Sequence, residues 1–127
     1  MIRSAYKDLV ASLTSALMRP GISVGSTSGY PRVEIHSVTE NMRLDKAGRL
    51  RMLTASIESI TNDSMVKAHM MNEVNLELLQ DLKIDKDFRL IGEPIADQMQ
   101  AISETADAQN TLYRVIQTVN FYVENNE

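Results

Sequence analysis

The sequence contains no cysteine, which excludes disulfide bonds, thiolate nucleophiles and cysteine-bound zinc. No apolar run approaches the roughly 18 residues that a membrane-spanning helix needs. The first ten residues, MIRSAYKDLV, form an interrupted amphipathic pattern that is not typical of a signal peptide. We therefore expect no membrane span, and a protein that stays in the cytoplasm where it is made.

Glycine and proline are also scarce, at five and three residues, and no low-complexity tract or long repeat is present. The chain of 127 residues is 43% hydrophobic and 24% charged, the composition of a folded globular protein. That length suits one core, so we predict a single domain over residues 1–127.

Charge is unevenly distributed along the chain. Residues 1–51 carry a net charge of +4, whereas the remainder carries −8. Opposite signs in the two halves would let one face of a subunit attract a different face of its copy. Chance scatter of solvated charges explains the same numbers, so both interpretations stay open.

Hydrophobic periodicity predicts an α+β domain with the order α-β-β-α-β-β. We expect a two-layer fold in which a four-stranded antiparallel sheet has both helices on one face. The predicted helices span 2–18 and 62–82, and the predicted strands span 32–38, 50–60, a part of 88–103, and 112–124.

The predicted second helix has apolar residues at a spacing of four, which we assign to the core. The stripe comprises Val66, Met70, Val74 and Leu78, and Met65, Met70 and Met71 are interpreted as core filling. The sheet face away from the helices is predicted to be mixed enough to bind another subunit. It carries Met52, Thr54, Ser56, Leu112, Ile116 and Tyr122.

The stretch at 25–38, GSTSGYPRVEIHSV, combines two glycines with several hydroxyl side chains, as phosphate-binding loops do. The two glycines, Gly25 and Gly29, are four residues apart, no lysine follows, and the segment leads from a helix into a strand. A P-loop needs a different spacing, a lysine and a following helix. We predict instead a surface loop at a subunit interface, comprising Gly25, Gly29, Tyr30 and Arg32.

The sequence contains few residues in the spacing of known catalytic or metal-binding motifs. His36 and His69 are the only histidines and form no metal-binding spacing, so we expect structural roles. The aspartates at 81, 85 and 87 lack the glycine and glutamate of a calcium loop. A metal-independent hydrolase would need a carboxylate pair that no spacing identifies. We therefore predict no catalytic residue, no metal and no cofactor.

The tip of the predicted first hairpin, NMRLDKAGRLR, is basic. Four cations fall within nine positions, with one acid among them. A solvated loop explains this cluster, but a ring of such tips could face DNA or bridge to an acidic neighbour such as Glu93, Glu104 or Asp107. The four cations are Arg43, Lys46, Arg49 and Arg51.

In its layout the chain resembles the tail-terminator and tail-completion proteins of tailed bacteriophages, and related ring proteins of the neck. The resemblance covers nearly the whole length and rests on an N-terminal helix and four segments. These segments are GYPRVEI, the hairpin VTENMRLDKAGRLRMLTASIESI, LKIDKDFRLIGEP after the second helix, and the final strand LYRVIQTVNFYV.

The resemblance implies a non-enzymatic structural protein of the virion tail or neck, assembled in the host bacterial cytoplasm. It implies a homo-oligomeric ring, a hexamer or dodecamer, that surrounds DNA without reading its sequence. Neighbouring tail-tube or connector and portal proteins would be its partners. The alternative function is a small cytoplasmic ligand-binding or regulatory domain with a ligand on the open sheet face.

Overall fold

Two helices and six strands form within the part of the chain that the computed structural model describes, residues 5–25, 29–43, 50–84, 88–105 and 111–125. Neither of these helices has the length and apolar character of a membrane span. In chain order the elements are α1 (Tyr6–Leu17), β1 (Ser23–Val24), β2 (Arg32–Arg43), β3 (Leu50–Thr61), α2 (Met65–Gln80), β4 (Phe88–Leu90), β5 (Ile95–Thr105) and β6 (Thr111–Asn125).

The centre of the sheet is antiparallel, with β3 between β2 and β6. At one edge β1 runs parallel to β2, and at the other edge β4 and β5 both pair with β6. The predicted four-stranded antiparallel two-layer sheet is therefore wrong. The sheet has six strands, is mixed, and curls into a half-barrel.

The two unpredicted strands explain this error. β1 has two residues and β4 has three, so neither is long enough to show the alternation that identifies a strand in sequence. The single strand expected within 88–103 is divided at Gly92, whose φ of +69° is a left-handed conformation that glycine adopts readily. Pairing along β6 then resumes at Ile95.

A β-bulge in β2 changes which side chains face the core. The register shifts between Ile35 and Ser37, so that Ile35 lies opposite Ile57 and Val38 lies opposite Ala55. An extra residue in one strand returns the following side chains to the other face. Val38 is consequently buried and Ser37 is exposed, the reverse of what strict alternation predicts.

The core lies between the helices and one face of the sheet. Leu9, Leu13 and Leu17 on α1 are fully buried, as their spacing predicts. α1 ends where Met18 becomes extended, immediately before Arg19 and Pro20. The sheet side of the core includes Leu53, Ala55, Ile57, Val119, Phe121 and Val123, which confirms the predicted inner faces of β3 and β6.

Helix α2 presents the opposite face from the one that its apolar spacing predicts. Ser64 caps it, since its hydroxyl accepts a hydrogen bond from the Lys67 amide. However, Val66, Met70 and Val74 are 69%, 52% and 37% exposed, so their assignment to the core is wrong. The buried face comprises Ala68, Met71, Asn72, Asn75 and Leu79.

Hydrogen bonds allow the two asparagines of α2 to be buried. Asn75 donates to the Ser59 hydroxyl at 2.9 Å and accepts from Arg19 at 2.8 Å. Asn72 donates to the Gln117 side chain at 3.2 Å. Buried polar groups are tolerated where such partners exist. Apolar spacing alone therefore cannot identify the inner face of this helix.

Candidate interaction surfaces

A charged cluster lies on the sheet face that α1 and α2 do not cover. Glu34 and Glu58 are directly opposite each other on β2 and β3, and Glu58 is 1% exposed. The Glu58 carboxylate lies 2.5 Å from His36 Nε2 and 3.4 Å from Arg114 Nη1. Glu34 lies 3.4 Å from Arg32 Nε and 3.7 Å from His36 Nε2.

Two arginines and a histidine beside the carboxylates stabilise this arrangement. Two carboxylates directly across an antiparallel pair repel each other unless positive groups lie between or beside them. Arg32, His36 and Arg114 come from β2 and β6, and together they contact both carboxylates. The cluster therefore connects three adjacent strands, and His36 lies in it partly exposed and hydrogen-bonded to Glu58.

The same cluster brings together three groups of a type that binds metals. Single ligand atoms of Glu34, His36 and Glu58 lie within 4.8 Å of one another. Each carboxylate also faces an arginine, so its charge is balanced without a metal ion. We interpret the cluster as an ion-pair network. Sequence spacing missed it because the β2–β3 register sets the opposition of Glu34 and Glu58.

A second surface is the groove between α2 and residues 19–31. The cavity has a volume of about 590 Å³. Apolar side chains of Ile22, Pro31, Met70, Met71 and Val74 form much of its lining. This groove is separate from the uncovered sheet face, where the alternative ligand-binding function expected a ligand. Arg19, Thr61, Asn62, Asp63 and Lys67 complete the lining.

Arg19 holds one wall of the groove in place. Its guanidinium donates to the Leu17 carbonyl at 3.2 Å, to the Met71 carbonyl at 3.4 Å and to Asn75. It thus joins the C-terminal end of α1 to the middle of α2. Burial lowers the pKa of the Arg19 guanidinium below its ordinary value, because a charged group loses hydration there. Arginine nevertheless remains a cation in proteins.

The basic hairpin tip is only partly described. Lys46 and Arg49 lie outside the described residues, and of Arg43 only the backbone, paired opposite Arg51, is described. Arg51 is 2% exposed, donates to Glu40 at 2.7 Å, and lies 5.2 Å from the centre of the Phe88 ring. Its guanidinium thus contacts Glu40 and Phe88 of its own chain and is not exposed at the tip.

Both ends of the predicted interface loop, at Gly25 and at residues 29–32, lie within the described residues. Tyr30 is 41% exposed, and its ring lies 4.6 Å from the Arg32 guanidinium of the same chain. Gly25 has a φ of +130°, and its amide donates to the Val33 carbonyl at 2.9 Å. Residues 26–28 lie outside the described part. The loop's role at a subunit interface stays a prediction.

The remaining predicted residues have varied positions. His69 is half-buried on α2, and Asp81 follows the end of that helix, where its amide donates to the Leu78 carbonyl. Among the proposed acidic partners of the tip, Glu104 lies 3.4 Å from Arg114 of its own chain and Glu93 is exposed. Asp85, Asp87 and Asp107 lie outside the described residues.

Comparison with protein families identifies no match, and no curated protein matches the sequence. Among solved structures, the chain matches a component of one described as "Virion of native gene transfer agent (GTA) particle". The match has a TM-score of 0.63 and 19% sequence identity, and it covers 96% of this chain and 92% of the other. The chain thus has the fold of a virion component.

Proposed function

We propose that the protein is a non-enzymatic structural subunit of a virion and that it assembles as a homo-oligomeric ring at the tail or neck. The observation that carries this proposal is the fold shared with a virion component over nearly the full length of both chains. The sequence layout supports it independently through its resemblance to tail-terminator and neck ring proteins.

Negative-stain electron microscopy of the purified chain tests the ring directly. The expected result is a population of closed rings of one diameter with a central opening. A field of particles with the size of a single 14.3 kDa chain at micromolar concentration would contradict the proposal.

Within this proposal, the hairpin tip faces the DNA that passes through the ring. Arg43, Lys46 and Arg49 are the cations concerned, whereas Arg51 is excluded because its side chain is buried. A triple Gln substitution of the three cations should reduce retention of DNA by the assembled ring and flatten its salt dependence, because fewer phosphates are neutralised. Unchanged retention in rings of normal size would refute the role of the tip.

A further inference from the structure

Large exposed hydrophobic side chains are concentrated on two surfaces of the described chain. Single exposed apolar residues are ordinary, but clusters mark interaction sites. Three lie on α2, as Val66, Met70 and Val74, and three lie on residues 91–99, as Ile91, Ile95 and Met99. We call the first surface, together with Arg19 and Lys67 beside it, the α2 groove, and the second the edge segment.

The α2 groove combines apolar walls with positive charge. Met70 and Val74 line the cavity of about 590 Å³, and Lys67 and Arg19 lie at the same cavity. Asp63 is the single acidic residue in its lining. Lys67 is exposed and forms no ion pair with any residue that the structure describes. The groove thus suits an apolar segment that carries negative charge.

The edge segment has the complementary composition. Its exposed hydrophobics recur every four residues, and the acids Glu93 and Asp97 fall midway between them. From residue 90 to residue 113 the sequence contains no lysine or arginine. Glu93 and Asp97 are exposed, and neither is ion-paired to a described residue.

The position of β5 makes the edge segment available to another chain. Within the described residues β5 pairs with β6 alone, and ten of its eleven side chains are exposed. Native proteins rarely leave an edge strand of this length uncovered, because its unpaired backbone groups attract other chains. A bulge between Ala96 and Met99 disrupts its regular pairing with β6.

The two surfaces are separate patches of the subunit, and both adjoin α2, since the Met99 sulfur of the edge segment lies 3.7 Å from the Asn72 amide of its own chain. The α2 groove opens beside residues 19–31, at the β1 edge of the sheet, whereas the edge segment lies at the β5 edge. Two such surfaces can pair reciprocally about a two-fold axis, which gives a closed dimer, or head-to-tail, which closes into a ring when the rotation between subunits permits. The proposed ring requires the head-to-tail contact.

We propose that the edge segment of one copy docks in the α2 groove of the next copy. This inference rests on the proposed ring and identifies the contact that builds it. Ile95 and its apolar neighbours then cover Met70 and Val74, and Glu93 and Asp97 approach Lys67 and Arg19. The contact buries the outward stripe of α2 and the exposed edge strand together.

A mixing experiment with two single variants tests this contact. Met70→Glu disables the groove, Ile95→Glu disables the edge, and Met18→Glu is the matched control, since Met18 is 64% exposed and lies outside both surfaces. We expect each of the first two variants alone to run as a 14.3 kDa monomer in native mass spectrometry, while the control forms rings like the unaltered chain.

An equimolar mixture of the two monomeric variants should then form one-to-one dimers and no rings. One intact edge meets one intact groove, whereas the reciprocal contact brings two glutamates together. Circular dichroism checks that each variant is folded, and Lys67→Glu provides a second groove variant if Met70→Glu does not fold. Restored assembly when Lys67→Glu and Asp97→Lys are combined in one chain would identify the charge contact.

Three results would overturn the inference. If the unaltered chain forms rings and both variants still do, the ring stands but this contact does not build it. If both variants are monomeric but their mixture gives no dimer, the two surfaces do not meet each other. If the unaltered chain is itself a monomer, the proposed ring fails along with this contact.

Discussion

Replacing Asn75 with alanine tests how α2 is held against the sheet. Asn75 is 1% exposed and joins three elements, because it bonds to Ser59 on β3 and to Arg19 after α1. The substitution removes both hydrogen bonds without placing a new group in the contact. Arg19 keeps its bonds to the Leu17 and Met71 carbonyls.

The two lost bonds set the expected magnitude. The neutral bond to Ser59 contributes about 1 kcal/mol, and the bond from the charged Arg19 contributes about 1.5–3 kcal/mol. Alanine recovers up to about 0.7 kcal/mol through its higher helix propensity. The free energy of unfolding of Asn75→Ala should therefore fall by about 2–3 kcal/mol.

Urea unfolding followed by circular dichroism measures this loss, at one protein concentration for all variants. The midpoint should fall while the slope with urea stays unchanged, because the same surface is exposed on unfolding. Glu73→Ala, at an exposed position on the same helix, is the control and should change the stability by less than about 0.5 kcal/mol. An equally small change for Asn75→Ala would refute the assigned inner face of α2.

Three further substitutions test other parts of the structure. In the Ile95→Glu background, which we expect to be monomeric, Met71→Ala should lower the free energy of unfolding by about 2–5 kcal/mol and Met70→Ala should change it by less than about 0.5 kcal/mol. Equal effects in urea unfolding would contradict the observed faces of α2. Glu58→Ala should lower the free energy of unfolding by about 1.5–3 kcal/mol, because the buried carboxylate is hydrogen-bonded to Arg114 and His36, and an unchanged urea midpoint would show that the cluster is not structural. Arg51→Gln should lower the thermal midpoint by several degrees, because it removes a buried ion pair and a ring contact. An unchanged midpoint would show that these contacts of Arg51 do not stabilise the fold.

The central sheet could be predicted from sequence because its strands are long and alternate cleanly. β3 and β6 have 12 and 15 residues, and burial alternates along residues 50–57 of β3 and 115–124 of β6. The first helix could also be predicted, since Leu9, Leu13 and Leu17 follow the helical period and Pro20 limits the length of the helix. The prediction was thus correct for elements whose periodic pattern extends over many residues.

The errors arose where a single residue changed the pattern. The extra residue at His36 moves the following side chains of β2 to the opposite face of the sheet. Gly92 separates β4 from β5, which the sequence predicted as one strand. Both faces of α2 carry apolar residues. The face that packs on the sheet is the one whose Asn72 and Asn75 form hydrogen bonds to distant strands. Such partners depend on the sheet register, which local periodicity does not contain.

The same dependence on register explains the surfaces. The Glu34 and Glu58 cluster exists because β2 and β3 pair in one particular alignment. The apolar stripe of α2 was visible in the sequence, but its significance came from its exposure. A residue pattern that predicts a core helix becomes evidence for a partner once the structure shows it facing outward.

Native mass spectrometry of the unaltered chain across a hundredfold range of concentration tests whether the chain assembles into a closed ring. We expect one oligomer at every concentration, with a mass that is a fixed multiple of 14.3 kDa and corresponds to a closed ring. A monomer throughout the range, or a ladder of sizes that grows with concentration, would contradict it.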